Sequence, residues 1–388
     1  MSIRGPQPRI AFLSPSLGGG IGRVLVNLCN AFAERGVAVD LLLSKPKSPY
    51  LSQLAPQVRV LHFPTTHPLM GLPALVGYLR RERPMAINTD SIRVNALALR
   101  ARALVQMSLR VSTTKATREP LRVCATLHNT YSRTLATRLP AKRRSLLARL
   151  RRYYPRNDAV IAVSKGVAED FLDLVPLLPS RLRVIPNPVV TPEIERLAVL
   201  DPVHPWLTPG QPPLLLAVGR LHPQKDYPTL LRACAELPRT PAWRLLILGE
   251  GEQRPHLERL IGELGLTGRA ALGGQVANPY AYMARARLLV LSSAWEGFGN
   301  VLVEAMALGT PVVATDCPHG PREILDKGRL GRLVPVGEAE ALAAAISDAL
   351  VQPTPQPEVL QAATEPYRVA TVVEQYARLL LPSEFTAP

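Results

Sequence analysis

Two glutamates mark the stretch of this sequence that is richest in chemistry. Glu296 and Glu304 stand eight residues apart in SSAWEGFGNVLVEAMALGTPVVAT, residues 292–315. The run RLLVLSS before Glu296 predicts a strand, and NVLVEAMAL predicts a helix that ends at Gly309. Glu296 then lies in the loop that leaves the strand, and Glu304 lies about one turn into the helix. Both carboxylates can therefore face one ligand.

The start of the predicted helix adds an anion site. Phe298, Gly299 and Asn300 place backbone N–H groups at the helix N-terminus, where a phosphate binds favourably. A carboxylate directly beside a phosphate would be repelled. We therefore expect Glu296 and Glu304 to accept hydrogen bonds from hydroxyl groups that flank the phosphate. A nucleoside diphosphate sugar carries hydroxyl groups on both sides of its phosphates.

Positive charge for these phosphates follows another predicted strand. The segment GRLHPQKD comes directly after the apolar run PLLLAV and contains Arg220 and Lys225. A guanidinium and an ammonium at this point can neutralise a leaving diphosphate without a metal ion. The sequence contains no Asp-x-Asp pair of the kind that holds a divalent ion in metal-dependent sugar transferases. We therefore expect neither a metal ion nor another cofactor.

Short apolar runs alternate with helical patterns along the chain and predict an α/β fold with two parallel, doubly wound sheets. A Pro-rich break at residues 201–213 separates two similar halves. We predict a first domain over 1–200 and a second over 201–366, with part of a C-terminal helix in 367–388 packed back on the first domain. Such sheets bind ligands at the carboxyl ends of their strands, so we expect a cleft between the domains.

Length and composition limit the class of protein. The 388 residues suit two domains, and 47% of them are hydrophobic, which is enough for two cores. No apolar run approaches the roughly 18 residues of a spanning helix, and the start has too short an apolar stretch for a secretory signal. The four cysteines stand far apart, which favours buried thiols over a zinc site or a disulfide framework. We expect a cytoplasmic protein.

The net charge of +16 is concentrated in one segment. Residues 80–156 hold 19 of the 46 basic residues and only three of the 30 acidic residues, so the rest of the chain is neutral. This distribution predicts an anionic partner, which is a membrane surface, a nucleic acid or an anionic acceptor. The segment has no nucleic-acid recognition module and lacks the aromatic platforms that single strands favour, so no nucleic acid is expected.

Within this segment, KRRSLLARLRRYY at residues 142–154 combines an apolar stripe with arginines. One interpretation is a helix that packs on the core and leaves its arginines in solvent. The other is an interfacial helix that holds anionic lipid or a pyrophosphoryl lipid acceptor. Both interpretations remain open at the level of sequence.

A glycine cluster follows the first predicted strand. GGGIGR imitates a dinucleotide fingerprint, with Asp40 20 residues beyond Gly20. Leu25 stands where the third glycine of that fingerprint belongs, so a nicotinamide site is not expected. Gly18, Gly19 and Gly20 still permit close approach of a ligand to the backbone above a helix start.

Several segments together resemble one known family. GRLHPQKD, NPYAYMARARLLVLSSAWEGFGNVLVEAMALGTPVVATDCPHGPREIL, AVIAVSKGVAEDF and VIPNPV look like the retaining glycosyltransferases of family 4. Members of this family have the GT-B fold, with two Rossmann-like domains, and an E-x7-E element. The resemblance covers nearly the whole chain and is strongest from Leu215 to Leu325. It implies transfer of a sugar from a nucleoside diphosphate sugar, generally a UDP-sugar.

The resemblance also implies roles for the residues named above. Glu304 matches the glutamate that holds the ribose hydroxyls, and Glu296 matches the one that contacts the transferred sugar. Arg220 and Lys225 match the residues that grip the diphosphate. His128, after the predicted strand RVCATL, matches a cleft histidine near the 6-hydroxyl of the sugar. Without the resemblance, such a histidine would more often belong to the core.

Two loops complete the expected donor site. Gly19 and Gly20 match the loop that approaches the phosphates and the acceptor, and Val276 and Asn278 mark a loop around a uracil base. No carboxylate nucleophile can be named for a double displacement. We therefore favour front-face attack, in which the acceptor hydroxyl passes its proton to the departing phosphate oxygen.

Three functions remain open at the level of sequence. The leading one is a UDP-sugar transferase that acts on a lipid-linked or glycan acceptor in cell-surface polysaccharide or glycolipid synthesis. It would be peripheral to the cytoplasmic membrane face and would meet anionic lipid through residues 80–156. The second is a GT-B nucleotide-sugar epimerase or soluble glucan synthase, which would not need the basic segment. The third is a polyanion-binding protein, which would not need Glu304.

Overall fold

The computed structural model describes residues 7–45, 48, 50–64, 68–111, 120–202, 204–240, 242–352 and 355–385. The chain divides into two units, of which the first comprises Met1–Pro188 and Val369–Pro388 and the second comprises Val189–Arg368. Over the described residues, each unit contains one parallel sheet, with seven strands in the first unit and six in the second. The predicted fold class, α/β with two doubly wound Rossmann-like domains, is confirmed.

The first unit alternates strands and helices in the order that the sequence predicts. Its strands are β1 (Arg9–Ser16), β2 (Ala38–Lys45), β3 (Arg59–His62), β4 (Ala86–Thr89), β5 (Arg122–Leu127), β6 (Ala159–Ala162) and β7 (Leu182–Val184). Its helices before β7 are α1 (Gly19–Glu34), α2 (Pro68–Glu82), α3 (Ile92–Val111), α4 (Tyr131–Ala136), α5 (Pro140–Tyr153) and α6 (Lys165–Leu174). The strand order in the sheet is β3-β2-β1-β4-β5-β6-β7.

The second unit repeats this arrangement. Its helices are α7 (Pro192–Ala198), α8 (Tyr227–Glu236), α9 (Arg254–Glu263), α10 (Tyr280–Met283), α11 (Asn300–Ala307), α12 (Pro321–Ile324), α13 (Ala339–Val351) and α14 (Pro357–Ala362). Its strands are β8 (Leu214–Val218), β9 (Arg244–Leu248), β10 (Ala270–Gly274), β11 (Leu288–Leu291), β12 (Val312–Thr315) and β13 (Arg332–Val334). The strand order is β10-β9-β8-β11-β12-β13, and the sequence analysis did not predict β13.

The inner strands are mostly buried because helices cover both faces of each sheet. Every residue of β4, β6, β11 and β12 is buried. This explains why these strands read as continuous apolar runs rather than as alternating patterns. Burial of one large apolar side chain contributes about 1.5–3 kcal/mol, so these short runs fix the sheet order strongly.

The last helix, α15 (Val369–Leu380), belongs to the first unit. Val372, Val373 and Tyr376 are fully buried in the same core cluster as Phe12 and Phe32. The guanidinium of Arg122, at the start of β5, donates to the carbonyl oxygen of Leu381 at 3.2 Å, just beyond the helix. The chain therefore returns to the first sheet after it has completed the second.

The division between the units lies earlier than the predicted boundary at residues 200 and 201. The first unit ends at Pro188 because the next residues are bonded to the end of the second unit. The backbone N–H groups of Val189 and Val190 both donate to the carbonyl oxygen of Tyr367, each at 3.0 Å. Helix α7 is also held there, since Asn278 Nδ2 donates to the carbonyl oxygen of Leu197 at 2.8 Å.

Two further expectations concern membrane spans and thiols. Within the described parts of the chain, no helix combines the length and the apolar character that a membrane crossing requires. Cys29, Cys124, Cys234 and Cys317 are all buried thiols, as the sequence predicts. Burial raises the pKa of each thiol, to about 12 for the last three, so these groups stay protonated at neutral pH.

Candidate functional site

The second sheet has a topological switch point between β8 and β11. The chain continues from β8 to β9 on one side and from β11 to β12 on the other, so the two loops diverge at the carboxyl ends of these neighbouring strands. Doubly wound sheets bind ligands at such points. Arg220 and Lys225 follow β8, and Glu296 follows β11, so the topology brings the predicted cations and the first glutamate to one place.

Lys225 and Glu296 form a direct ion pair at this point. Lys225 Nζ lies 2.5 Å from Glu296 Oε1, and the side chains are only 17% and 9% exposed. Ser293 Oγ donates to the same carboxylate oxygen at 2.7 Å. The sequence predicts that the two residues contact neighbouring parts of a ligand, and their direct contact with each other was not predicted. A charge-assisted bond in a largely buried setting holds both side chains in position before a ligand arrives.

The loops that carry this pair are also joined by hydrogen bonds from side chains of one loop to backbone carbonyls of the other. Ser292 Oγ donates to the carbonyl oxygen of Lys225 at 2.7 Å, and Gln224 Nε2 donates to that of Trp295 at 3.0 Å. Tyr227 lies at the start of α8, and its buried hydroxyl has no hydrogen-bond partner among the described residues. Burial and then the charge of Glu296 raise the pKa of Tyr227, so it remains a neutral phenol.

A tight turn presents Lys225. Residues Pro223–Lys225 form a 3-10 helix that is capped by His222, whose Nδ1 accepts from the backbone N–H of Gln224 at 3.1 Å. Asp226 then adopts a left-handed φ of 45° and accepts from Thr229 Oγ1 at 2.8 Å. Earlier on the same loop, Arg220 is exposed.

Three glycines allow the loops of the second unit to pack closely. A Cβ on Gly249 would lie 1.9 Å from the carbonyl oxygen of Gly219, and one on Gly251 would lie 2.3 Å from that of Leu221. Gly320 has a φ of 96°, and its Cβ would lie 1.9 Å from the carbonyl oxygen of Phe298. The GEG that follows β9 was the available signal, since glycine is required where two backbones approach this closely.

Helix α11 begins where the sequence predicts. Gly299 is its N-cap residue, with a φ of 103° and no side chain that could cap the helix. The first-turn N–H groups are thus oriented toward the switch point without a capping side chain from Gly299. Phe298 is 5% exposed and packs its ring on Tyr367. Glu304 is half-buried on this helix, between residues of which most are buried.

The predicted base loop follows β10. Val276 is half-buried there. The side chain of Asn278 is occupied, since its Oδ1 accepts from the backbone N–H groups of Tyr280 and Ala281 at 3.1 and 3.3 Å. Asn278 therefore serves to start α10, and any contact with a base would come from the backbone of this loop.

The first sheet has its own switch point, between β1 and β4. Ser14 Oγ donates to Asp90 Oδ2 across it, in a short hydrogen bond. Desolvation raises the pKa of Asp90 to about 7. Among the described residues, Asp90 Oδ1, Ser91 Oγ and both polar atoms of the Asn95 side chain are buried without a hydrogen-bond partner. Buried polar atoms of this kind are rare and require an explanation such as a ligand or ordered water.

This cluster was missed by sequence reasoning. The available signal was Asp90 in MAINTDS, a lone acid directly after a buried strand. The predicted glycine loop lies after β1 of the same unit, where Gly18, Gly19 and Gly20 are exposed and Gly19 has a φ of 58°. The position of Gly19 and Gly20 at a helix start is as predicted.

His128 follows β5, directly after Leu127, and is half-buried. Desolvation lowers the pKa of His128 to about 4, so the imidazole is neutral at pH 7. A neutral imidazole offers one donor and one acceptor, which suits a hydroxyl ligand. The structure places His128 in the first unit, and the glutamates and the cations lie in the second.

The basic helix α5 uses its apolar side within its own unit. Leu146, Leu150 and Tyr153 are buried, and so is Tyr154 just after the helix. The apolar stripe therefore packs on the core of the first unit, which agrees with the first interpretation, and an interfacial surface that holds anionic lipid or a pyrophosphoryl lipid acceptor stays a prediction. The cations on the other side of the helix remain exposed, as the first interpretation also states.

Fold and site together define a two-unit α/β protein with polar and charged residues at both switch points. Residues 18–192 match the family described as Glycosyltransferase Family 4, and residues 204–365 match Glycosyl transferases group 1. Three known proteins illustrate the similarity. The N-acetylgalactosamine-N,N'-diacetylbacillosaminyl-diphospho-undecaprenol 4-alpha-N-acetylgalactosaminyltransferase of Campylobacter jejuni is 31% identical over 340 residues, which cover 84% of this chain and 86% of that protein.

The lipopolysaccharide core biosynthesis glycosyltransferase LpsE of Rhizobium meliloti is 29% identical over 334 residues, which cover 84% of each chain. The crystal structure of Anabaena Alr3699/HepE in complex with UDP-glucose has a TM-score of 0.75 at 22% identity, over 96% of this chain and 99% of that one. This chain belongs to the glycosyltransferases with the GT-B fold.

Proposed function

We propose that this glycosyltransferase is a retaining, metal-independent enzyme that transfers a sugar from a UDP-sugar to a lipid-linked or glycan acceptor in cell-surface glycan synthesis. The Lys225–Glu296 pair at the switch point of the second unit carries this proposal. It places an ammonium and a carboxylate together on loops that also hold Arg220 and lead into α11. A nucleoside diphosphate sugar needs this combination, because its phosphates are anionic and its sugar offers hydroxyl donors.

The relatives support the acceptor class. The Campylobacter jejuni protein is named for an acceptor that is linked to diphospho-undecaprenol, and the Rhizobium meliloti protein is named for lipopolysaccharide core biosynthesis. The resemblance of the sequence supports a UDP-sugar as donor, since the subfamily that it resembles generally uses UDP-sugars. Both inferences extend the family membership to a particular donor and a particular class of acceptor.

We assign the donor contacts as follows. Arg220, Lys225 and the backbone N–H groups at the start of α11, from Phe298 to Asn300, hold the diphosphate. Glu304 accepts hydrogen bonds from the ribose hydroxyls, and the backbone around Val276 contacts the base. The exposed Arg220 adds a second cation, so the charge of the leaving diphosphate is met by side chains and N–H groups rather than by a metal ion.

The proposed reaction is a front-face displacement. The acceptor hydroxyl oxygen forms a bond to the anomeric carbon while the bond from that carbon to the phosphate oxygen breaks. The hydroxyl proton passes to the same phosphate oxygen, and UDP leaves. Glu296 orients the transferred sugar, and the neutral imidazole of His128 hydrogen-bonds to a sugar hydroxyl. The protein contributes by positioning the reactants and by stabilising the charge on the diphosphate.

We further propose that the enzyme works at the cytoplasmic face of the membrane as a peripheral protein. The support is the positive charge of residues 80–156, because anionic lipid attracts exposed basic residues at about 1 kcal/mol each. Flotation with phosphatidylcholine vesicles that contain or lack phosphatidylglycerol tests this. Equal binding to both vesicles would contradict an electrostatic role.

Nucleotide binding tests the donor assignment. A thermal melt with UDP, GDP or ADP, each with Mg²⁺ or with chelator, is expected to show stabilisation by UDP that does not depend on Mg²⁺. A ligand at 100 times its Kd adds about 2.7 kcal/mol to the free energy of unfolding. Stabilisation by GDP or ADP alone would contradict the UDP assignment, and dependence of transfer on Mg²⁺ would contradict the metal-free mechanism.

A matched pair of variants tests the ribose contact. Glu304→Gln is expected to abolish most of the stabilisation by UDP and to lower transfer at least about 100-fold. Glu263→Gln, on the exposed side of α9, removes the same charge from another helix and should leave both measurements unchanged. Conversion of the nucleotide sugar without any acceptor would favour an epimerase, and full activity of the Glu304 variant would exclude the proposed site.

A further inference from the structure

Many of the basic side chains of residues 80–156 have structural partners. Five arginines illustrate this. Arg81 pairs with Glu82, Arg100 with the hydroxyl of Tyr153, Arg102 with Asp158, Arg122 with the carbonyl oxygens of Leu379 and Leu381, and Arg151 with that of Leu174. These arginines are committed to the fold. They add to the net charge of the segment, but they do not require an external anion.

A second group of basic residues surrounds one open pocket of the first unit, with a volume of about 530 Å³. The cations that line it are Arg93 at the start of α3, Arg138 before α5, and Lys142 and Arg149 on α5. In the described parts of the chain, none of these four side chains forms an ion pair or a hydrogen bond, and no lining residue is acidic. Four like charges therefore converge on one space without a counter-charge.

The pocket lies at the switch point of the first sheet. Pro15, in the last residues of β1, and Ser91, just after β4, both line it. This is the edge of a doubly wound sheet at which ligands bind. Ser91 also supplies an independent indication of a ligand site, because its buried Oγ has no hydrogen-bond partner among the described residues. The space is within the size range of small-molecule sites.

The chemistry of the lining selects the ligand. Three guanidinium groups, an ammonium and a hydroxyl suit the several oxygens of a phosphate or diphosphate ester, and arginine binds such groups with two parallel hydrogen bonds. Ile92 and Leu146 add an apolar surface beside the cations, which suits an ester rather than a bare ion.

We propose that this pocket binds a phosphoryl group of the acceptor substrate, an inference that rests on the glycosyl transfer proposed above. The four cations hold the phosphate or diphosphate ester, and Ser91 Oγ donates to one of its oxygens. The acceptor class is thereby narrowed to phosphorylated glycans or sugars linked to a lipid through phosphate. The pocket belongs to the first unit alone, so its occupation is separate from the donor contacts of the second unit.

The alternative source of the same chemistry is the headgroup layer of a membrane. Arg143 and Arg144 lie on the same helix, are exposed, and do not line the pocket. A diffuse membrane-facing surface would use these two residues as much as Lys142 and Arg149. A pocket for one phosphoryl group would not, and this difference supplies a matched control.

The test uses the full chain with saturating UDP and titrates inorganic pyrophosphate by calorimetry. Lys142→Ala/Arg149→Ala is expected to bind pyrophosphate at least about tenfold more weakly than the wild type, because each removed cation loses a charge-assisted hydrogen bond. Arg143→Ala/Arg144→Ala loses the same net charge and should stay within about twofold of the wild type. Equal weakening in both variants, or no weakening in either, would overturn the proposal.

Two more measurements distinguish an acceptor phosphate from lipid headgroups, and failure of the pocket proposal from failure of the proposed function. In flotation with phosphatidylglycerol–phosphatidylcholine vesicles, the two variants should show the same vesicle binding as each other. A loss of vesicle binding in the Lys142/Arg149 variant alone would assign the pocket to lipid headgroups instead. Thermal stabilisation by UDP should be the same in all three proteins. Absence of UDP binding in all three proteins would contradict the proposed function. The pyrophosphate titrations, repeated without UDP, would then still test whether the pocket binds a phosphoryl group.

Discussion

The two units place different chemistry at equivalent points of the same topology. In the second unit, the switch point is bridged by the Lys225–Glu296 ion pair, whose carboxylate also accepts from a serine. In the first unit, it is bridged by the Ser14–Asp90 hydrogen bond, and the nearby Asn95 is fully buried with no partner for either of its polar atoms among the described residues. The charged pair of the second unit is held in position by its own contacts, and the polar cluster of the first unit lacks hydrogen bonds that a ligand or ordered water can supply.

The ion pair of the second unit is expected to give the largest effects. Lys225→Ala removes a cation from the diphosphate site and leaves Glu296 buried without its counter-charge. We expect transfer to fall about 10²–10³-fold and the free energy of unfolding to fall by about 3 kcal/mol. Steady-state kinetics and urea denaturation measure the two effects.

The double variant Lys225→Ala/Glu296→Gln separates them. Removal of both charges should restore most of the stability, because no uncompensated buried charge remains, but it should not restore transfer. Recovery of activity in the double variant would show that the pair has only a structural role.

The second comparison concerns glycines near the two switch points. Gly249→Ala would force a Cβ to 1.9 Å from the carbonyl oxygen of Gly219 at a φ of 147°, so we expect a loss of more than about 2 kcal/mol. Gly18→Ala should change stability by less than about 0.5 kcal/mol, because its Cβ would meet no atom within 4 Å and its φ is −138°. Thermal melts of both variants measure the two changes in stability. A similar loss of stability in both variants would contradict the difference in loop packing.

The pH dependence of stability tests the first unit. The pKa of Asp90 is raised from 3.8 to about 7 by burial, so the folded chain favours the protonated acid. Stability due to this group is fully present below about pH 4 and is lost as the pH rises through 7. The side chain of the Asp90→Asn variant remains neutral at every pH. The free energy of unfolding of the variant, relative to that of the wild type, should therefore increase by more than about 1.4 kcal/mol from pH 4 to pH 8. A constant difference across this range would contradict the shifted pKa.

His128 is expected to give the smallest effect. With a pKa of about 4, it stays neutral from pH 5 to 8 and cannot produce a step in kcat/KM there. His128→Gln should lower kcat/KM about fivefold, which is the loss of one neutral hydrogen bond, without changing the shape of the pH profile. Any step near pH 7 should therefore persist in this variant. A step that is present in the wild type and absent in His128→Gln would contradict the lowered pKa of His128.

The sequence predicted the fold well because the inner strands contain continuous runs of buried apolar residues. It missed β13, since this strand has only three residues and a single buried one. It also placed the boundary between the units too late, because the bonds from Val189 and Val190 to Tyr367 join residues that are far apart in the chain. Short or long-range features of this kind leave little trace in local patterns.

For the candidate site, the sequence predicted which residues follow which strand, and it could not predict their contacts. Lys225 and Glu296 are 71 residues apart, so their ion pair depends on the neighbouring positions of β8 and β11 in the sheet. Asp90 was not predicted as a site residue, because a single acidic residue after a strand is also common in ordinary turns. The apolar stripe of α5 was ambiguous for a different reason, since periodicity shows a face but not what covers it.

The return of α15 to the first sheet affects how the chain is made. Val372, Val373 and Tyr376 complete a core that begins with β1, so that core is closed only after the chain has left the ribosome as far as α15. Residues 189–368 form an unbroken stretch and can reach their final contacts earlier. During synthesis the N-terminal part of a chain usually folds first, and this order of folding is therefore reversed here. A nascent chain that stalls before residue 369 would expose the apolar surface that this helix covers.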